Sequence, residues 1–215
     1  MKRILVVVSR DGRADYDCTD LAGDLCNSLR GKNRQADLVV LPYHADTRAT
    51  TEQFVAYRLL DFENHADELI TIGLPASAVK HPAKSAWLPS LTSSVHERWD
   101  THYGTLAMPH NLPLRDEIWT AERAILSECR KVYCFSEQLQ KLIRSAHGID
   151  SFVLRPPYGS ARPGLPQDSE LPGSCYLHET HLEPYERTDL LLHAVARSEG
   201  KWKLAIFIPY AELVY

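Results

Sequence analysis

The apolar run Ile4 to Val8 opens directly into Ser9-Arg10-Asp11-Gly12-Arg13. A polar loop at the carboxyl end of a buried strand is where an open parallel sheet binds its ligands, which makes Ser9, Asp11 and Gly12 candidate binding residues. The same loop also reads as an ordinary polar link between strand and helix. It lacks the G-x-G-x-x-G pattern, which disfavours a nicotinamide or flavin enzyme. A second cluster, His178-Glu179-Thr180-His181, sets two histidines three positions apart near Pro184. A zinc-protease helix needs them four apart on one face, so no zinc site is read there. The five cysteines form no C-x-x-C pair and read as buried, reduced thiols. Neither a metal nor a cofactor is expected.

The elements that would position these residues alternate between strand and helix. Ile4 to Val8, Ala36 to Leu41, Glu68 to Ile72, Ser85 to Leu88, Val132 to Phe135 and Phe152 to Leu154 are short apolar runs, as in strands buried on both faces. Between them, helical spacing marks Leu21 to Leu29 with Gly31 as its stop, and a segment around Phe54, Tyr57, Arg58 and Asp61. A longer helix fits Leu114 to Cys129 on the stripe Ile118, Ala121, Ile125 and Leu126. Another runs from Glu137, capped by Ser136, and stops near Gly148. This order predicts an α/β fold with a doubly wound, Rossmann-like parallel sheet over residues 1–157. A proline- and glycine-rich linker is expected over 158–173. The pattern restarts over 174–215 with one strand, helix and strand, and the chain then stops, so a truncated second unit is expected.

Composition narrows the function. With 44% hydrophobic and 24% charged residues in 215, the chain can bury a core. A net charge of -4 without a basic cluster argues against nucleic-acid binding. No apolar run is long enough for a transmembrane helix or for the core of a signal peptide, so a cytoplasmic location is expected. Peripheral docking on a membrane stays open. However, Arg123, Arg130, Lys131, Lys141 and Arg144 are interspersed with acids and read as a solvated face.

Several segments, in order, resemble group 1 (family 4) glycosyltransferases of the two-lobed GT-B type. Ala66 to Gly73 with Leu74-Pro75-Ala76 resembles the strand and turn after the third helix of that family. His81-Pro82-Ala83-Lys84-Ser85-Ala86-Trp87 resembles its "HP-x-K-x-x-W", and Trp99, Tyr103-Gly104 and Arg115-Asp116 fall where similar residues occur. Val132 to Ser136 and Leu154 to Pro157 resemble the strand and linker entry that close the first lobe. Glu183-Pro184-Tyr185-Glu186-Arg187-Thr188-Asp189-Leu190-Leu191 resembles the "EPxKRxDLL" opening of the second lobe.

The resemblance implies transfer of a sugar, with retention, from a nucleotide-sugar donor to a glycan or lipid-linked acceptor, as in polysaccharide or cell-surface glycan synthesis. The first lobe would hold the acceptor, making Ser9, Asp11 and Gly12 acceptor-side residues. Cations and backbone N–H groups would stabilise the leaving diphosphate, without a metal. The sequence departs from that pattern. The family's "H-x-x-R" falls on Ser90 to Ser93, which also read as turn residues beside Pro89. The phosphate-binding arginine falls on His181 and the lysine on Glu186, an acid that would repel the diphosphate. Arg187 is retained as a donor-binding candidate, although Arg187 and Asp189 also suit plain solvation of a helix start. The family's "E-x7-E" pair would lie past residue 215. An incomplete enzyme is therefore expected, with a non-catalytic module that binds a glycan or partner protein as the alternative. The apolar strand Lys203 to Ile208 is expected to pack on the first lobe, to be covered by a second chain or a homodimer, or to be poorly ordered.

Overall fold

The computed structural model describes residues 1–10, 18–31, 33–44, 46–101, 109–157, 175–180, 186–198 and 202–208. Asp11, Gly12, His181 and the expected linker 158–173 lie outside them. The chain divides into two compact units, Met1–Pro156 and Pro157–Tyr215.

The first unit is a parallel six-stranded sheet. Its strands are β1 (Lys2–Arg10), β2 (Arg34–Pro42), β3 (Glu68–Ile72), β4 (Lys84–Leu88), β5 (Lys131–Cys134) and β6 (Phe152–Val153). Its helices are α1 (Thr19–Leu29), α2 (Thr50–Arg58), α3 (Leu112–Ser127) and α4 (Glu137–His147). The spatial order is β2-β1-β3-β4-β5-β6, all pairs parallel. The α/β, Rossmann-like fold expected from the alternation of elements is the fold observed.

Strand β1 shows why this sequence folds this way. It is an interior strand, with Ile4 opposite Ala36 on one side and Glu68 on the other. Successive side chains leave opposite faces of a strand. Ile4, Val6 and Val8 accordingly join a core with Ala22 and Cys26 of α1, while Leu5 and Val7 join one with α2, α3 and α4. Val6, Val7 and Val8 have no exposure at all, and burying each such side chain contributes about 1.5–3 kcal/mol. A continuous apolar run is the only pattern that serves both cores.

Helix ends follow local chemistry. Ser136 caps α4 by accepting the N–H of Leu139 at 3.2 Å, and Gly148 ends it in the left-handed region at φ 70°. The expected stop of α1 at Gly31 works differently. Arg30 is already extended at φ -66° and ψ 134°, and Gly31 pairs with Arg34 in a tight bridge into β2. Gly31 has no positive φ, so it is a turn residue rather than a left-handed cap.

The second unit contains β7 (Tyr176–Glu179), α5 (Thr188–Arg197) and β8 (Leu204–Phe207) among the described residues. The two strands pair in parallel, Tyr176 opposite Leu204 through Glu179 opposite Phe207. Arg187 precedes α5 in the left-handed region at φ 53°, the one non-glycine residue in that region among the described residues.

Candidate functional site

Strand order reverses between β1 and β3. The chain moves from β1 to β2 on one side, then returns to place β3 on the other. In open α/β sheets a reversal of this kind, beyond the carboxyl ends of the strands, is where a ligand crevice lies. Ser9 lies at the carboxyl end of β1, half-buried. Gly73 follows β3 at φ 86°, and a methyl group there would lie 3.6 Å from Ser9 Oγ. Only glycine adopts that φ freely, so the chain turns sharply beside the serine.

The turn after β3 is braced from below. Ser77 Oγ donates to the Gly73 carbonyl at 2.8 Å and lies 2.8 Å from Thr71 Oγ1. Lys84, fully buried on β4, donates to the carbonyls of Ser77 at 2.7 Å and Val79 at 3.0 Å. Polar residues inside this segment thus serve the backbone of the turn.

Ser90, exposed, follows β4 at the same edge of the sheet. Ser93 is half-buried and its carbonyl accepts the N–H groups of His96 (3.3 Å) and Arg98 (2.9 Å), the role of a turn residue. In the second unit Arg187 grips Asp189 through two bonds, Nε to Oδ1 at 3.0 Å and Nη2 to Oδ2 at 3.1 Å. Those bonds come first in holding the Asp189 carboxyl below the usual carboxylate range. Glu186 accepts a hydrogen bond from the Thr180 hydroxyl, which also lies 3.0 Å from the Thr188 hydroxyl. Of the sequence candidates, Ser9 and Ser90 share the carboxyl edge of the first sheet, whereas Arg187 and Glu186 belong to the start of α5.

A further polar group was not anticipated from the sequence. His96, in the segment after β4, Glu122 in the middle of α3, and His147 at the end of α4 converge in the interior. Both imidazoles meet one carboxylate oxygen, Glu122 Oε2, His96 Nε2 at 2.6 Å and His147 Nε2 at 3.1 Å. The other oxygen accepts the Thr92 N–H at 3.1 Å. Burial would push the Glu122 carboxyl up. Hydrogen bonds from His147 and His96 outweigh that cost and bring it down to about 2, so it is ionised at neutral pH.

Aromatic stacking holds this group in place. His96 lies flat on Trp119 at 5.2 Å and meets the edge of His147 at 5.4 Å. The Arg115 guanidinium lies over the Trp119 ring at 4.6 Å and over the Trp99 ring at 4.7 Å. Arg115 Nε and Trp119 Nε1 both donate to the Val95 carbonyl, at 3.1 and 3.2 Å. Trp99, Arg115, Trp119 and His96 are therefore linked by ring contacts in one group, which His96 joins to the ionised carboxylate.

The sequence expectation of no metal singled out none of His96, Glu122 and His147. They lie 26 and 25 positions apart, spacings that no motif joins. A weaker signal was present. Glu122 falls on the buried stripe of α3 with Ile118, Ile125 and Leu126, and His147 falls on that of α4 with Leu139 and Ile143. An ionisable residue on an apolar stripe needs an internal partner.

No protein-family model matches the chain, and no curated protein matches it in sequence.

Proposed function

We propose that this chain is the acceptor-binding part of a GT-B type glycosyltransferase. It would hold a glycan or lipid-linked acceptor at the carboxyl ends of β1 and β3. The observation that carries the reading is the reversal of strand order there, with Ser9 against the left-handed Gly73. The ordered resemblance of segments from Ala66 to Leu191 supplies the chemistry, because the crevice itself specifies no ligand. Ser9 and Ser90 are hydroxyls suited to hydrogen-bonding a sugar. Neither could serve as a general base of the histidine type.

A second reading has its own support. Arg187 is tied to Asp189, and Glu186 adds negative charge beside it. A developing diphosphate charge needs uncompensated cations, and here an acid stands next to the arginine. A module that binds the acceptor without transferring sugar fits that arrangement.

One experiment tests both. Amide spectra of the 15N-labelled chain would be recorded with short oligosaccharides, with a short-chain polyprenyl-phosphate sugar, and with UDP- and GDP-sugars. Shifts at Ser9, Gly73 and Ser90 with an acceptor are expected. Shifts around Arg187 with a nucleotide-sugar would favour the enzyme over the binding module. Silence at the β1–β3 edge with every acceptor would sink the proposal.

A further inference from the structure

We propose that His96, Glu122 and His147 form a binding site for one divalent transition-metal ion, of which zinc is the best fit. The site is carried by residues other than those at the carboxyl edge of the sheet, and its test does not depend on sugar binding.

The donor set comes first. Two imidazoles and a carboxylate are borderline ligands that suit Zn2+ and its neighbours, and this combination leaves one position of a tetrahedron open. The three ligand atoms lie within 4.8 Å of one another. Ligands of a tetrahedral zinc ion are about 3.3 Å apart, given bonds of about 2.0–2.2 Å. The present contacts of 2.6 and 3.1 Å would have to open by less than about 1 Å, and the two ring nitrogens, within 4.8 Å of each other, would have to close by no more than about 1.5 Å. That is a rotamer adjustment, within the reach of side chains on three separate elements.

The surrounding shell resembles that of a built site. Metal-binding carboxylates and histidines are normally oriented by outer partners. Thr92 N–H fixes Glu122 Oε1, leaving Oε2 to face both rings. Trp119 fixes the plane of His96. Arg123 Nε holds the His147 backbone carbonyl at 3.1 Å. Glu122 has no exposure, and its Oε2 is met by the two rings.

Protons balance simply. The ion takes the place of the Nε2 protons that now bridge the rings to Glu122. A neutral ring would move its proton to Nδ1, and a charged ring would release one proton to solvent. The ion would then tie the segment after β4, which carries Ser90 and Ser93, to α3 and α4.

The test uses the untagged full chain, freed of metal by a chelator and titrated with Co2+ and then Zn2+ alone. The expected result is one Co2+ per chain with visible d–d bands of a tetrahedral site, displaced by Zn2+. Glu122→Gln and His147→Asn should each weaken uptake at least about 100-fold, since even outer partners are worth roughly 10–100-fold. Circular dichroism checks that each variant folds. X-ray absorption of the zinc-loaded wild-type chain needs no variant, and should show nitrogen and oxygen ligands without sulfur. A folded chain that takes up no Co2+ or Zn2+ overturns the proposal. So does a thiolate-to-cobalt charge-transfer band, which would place the ion on the cysteines, and so does uptake unchanged in the folded variants.

Discussion

An ammonium with no exposure must find partners inside the protein, and Lys84 finds them in two backbone carbonyls and in the Glu128 carboxylate at 3.6 Å. Replacing it in Lys84→Met keeps the length of the side chain but leaves the Ser77 and Val79 carbonyls without their donor. Urea unfolding should show a loss of about 2–3 kcal/mol, the cost of orphaning buried acceptors less what the methionine recovers by packing. A variant as stable as wild type would show those carbonyls to be satisfied elsewhere. Glu128 has a pH consequence. Burial pushes its carboxyl up, but the paired bonds from Arg58 and then the charge of Lys84 outweigh this, so its folded value lies below its ordinary one. A depressed folded value means that the contribution to stability is present above the unfolded value. It is lost as pH falls through the folded one. The difference in stability between wild type and Glu128→Gln should thus be present at neutral pH and shrink on acidification. A difference independent of pH would rule out the ion pair as its source. Individual residues like these were the least legible part of the sequence. Lys84 could be matched to a motif, but nothing in "HP-x-K" says that its ammonium turns inward to brace a turn. His96, Glu122 and His147 meet only because three elements pack together, and pairing at that range is a property of the folded chain.

Elements were far more legible, because their signals are local. β3 was expected and found at Glu68–Ile72, since an apolar run bounded by Gly73-Leu74-Pro75 leaves little freedom. α4 was expected from Glu137, and both ends follow from residue chemistry. Ser136→Ala removes the hydroxyl that accepts the Leu139 N–H and should cost about 1 kcal/mol. Gly148→Ala should cost a similar amount, about 1 kcal/mol, for a different reason. A Cβ there meets nothing closer than Arg123 Nη2 at 3.8 Å, so the penalty is the φ of 70° alone. The two sites are at opposite ends of one helix and share no partner, so thermal unfolding of the double variant should show additive losses. Losses well below the sum would mean that α4 frays before the rest of the unit unfolds. α1 was read correctly as a helix but for a partly wrong reason at its end. Gly31 invites a left-handed cap, yet the chain turns at once into β2, and the strand pairing dictates an extended Arg30.

At the scale of the whole molecule, the two units differ in what they bury. Both apolar cores lie within Met1–Pro156, where the sheet is covered on each face. In the second unit the buried described residues are Thr180 and Thr188, while Tyr176, Leu177, Leu190, Leu192, Trp202 and Ile206 stay exposed. The elements described there, a parallel pair of strands and one helix, remove little apolar surface from water among themselves, and a two-stranded sheet is marginal by itself. Stability should therefore be distributed unevenly along the chain. In hydrogen exchange on the full-length protein, the amides of Val6, Val7 and Val8 should exchange only through global unfolding. Those of Leu204, Ala205 and Ile206 should exchange orders of magnitude faster, through local opening of β7 and β8. Urea should leave the second rate almost unchanged while raising the first, because local opening exposes little new surface. A chain shortened to Pro156 should accordingly keep the cooperative transition of β1 to β6, since it loses no member of either core. Equal protection of β8 and β1 in a dilute monomer would mean that the second unit is stabilised by cover that its own described residues do not provide.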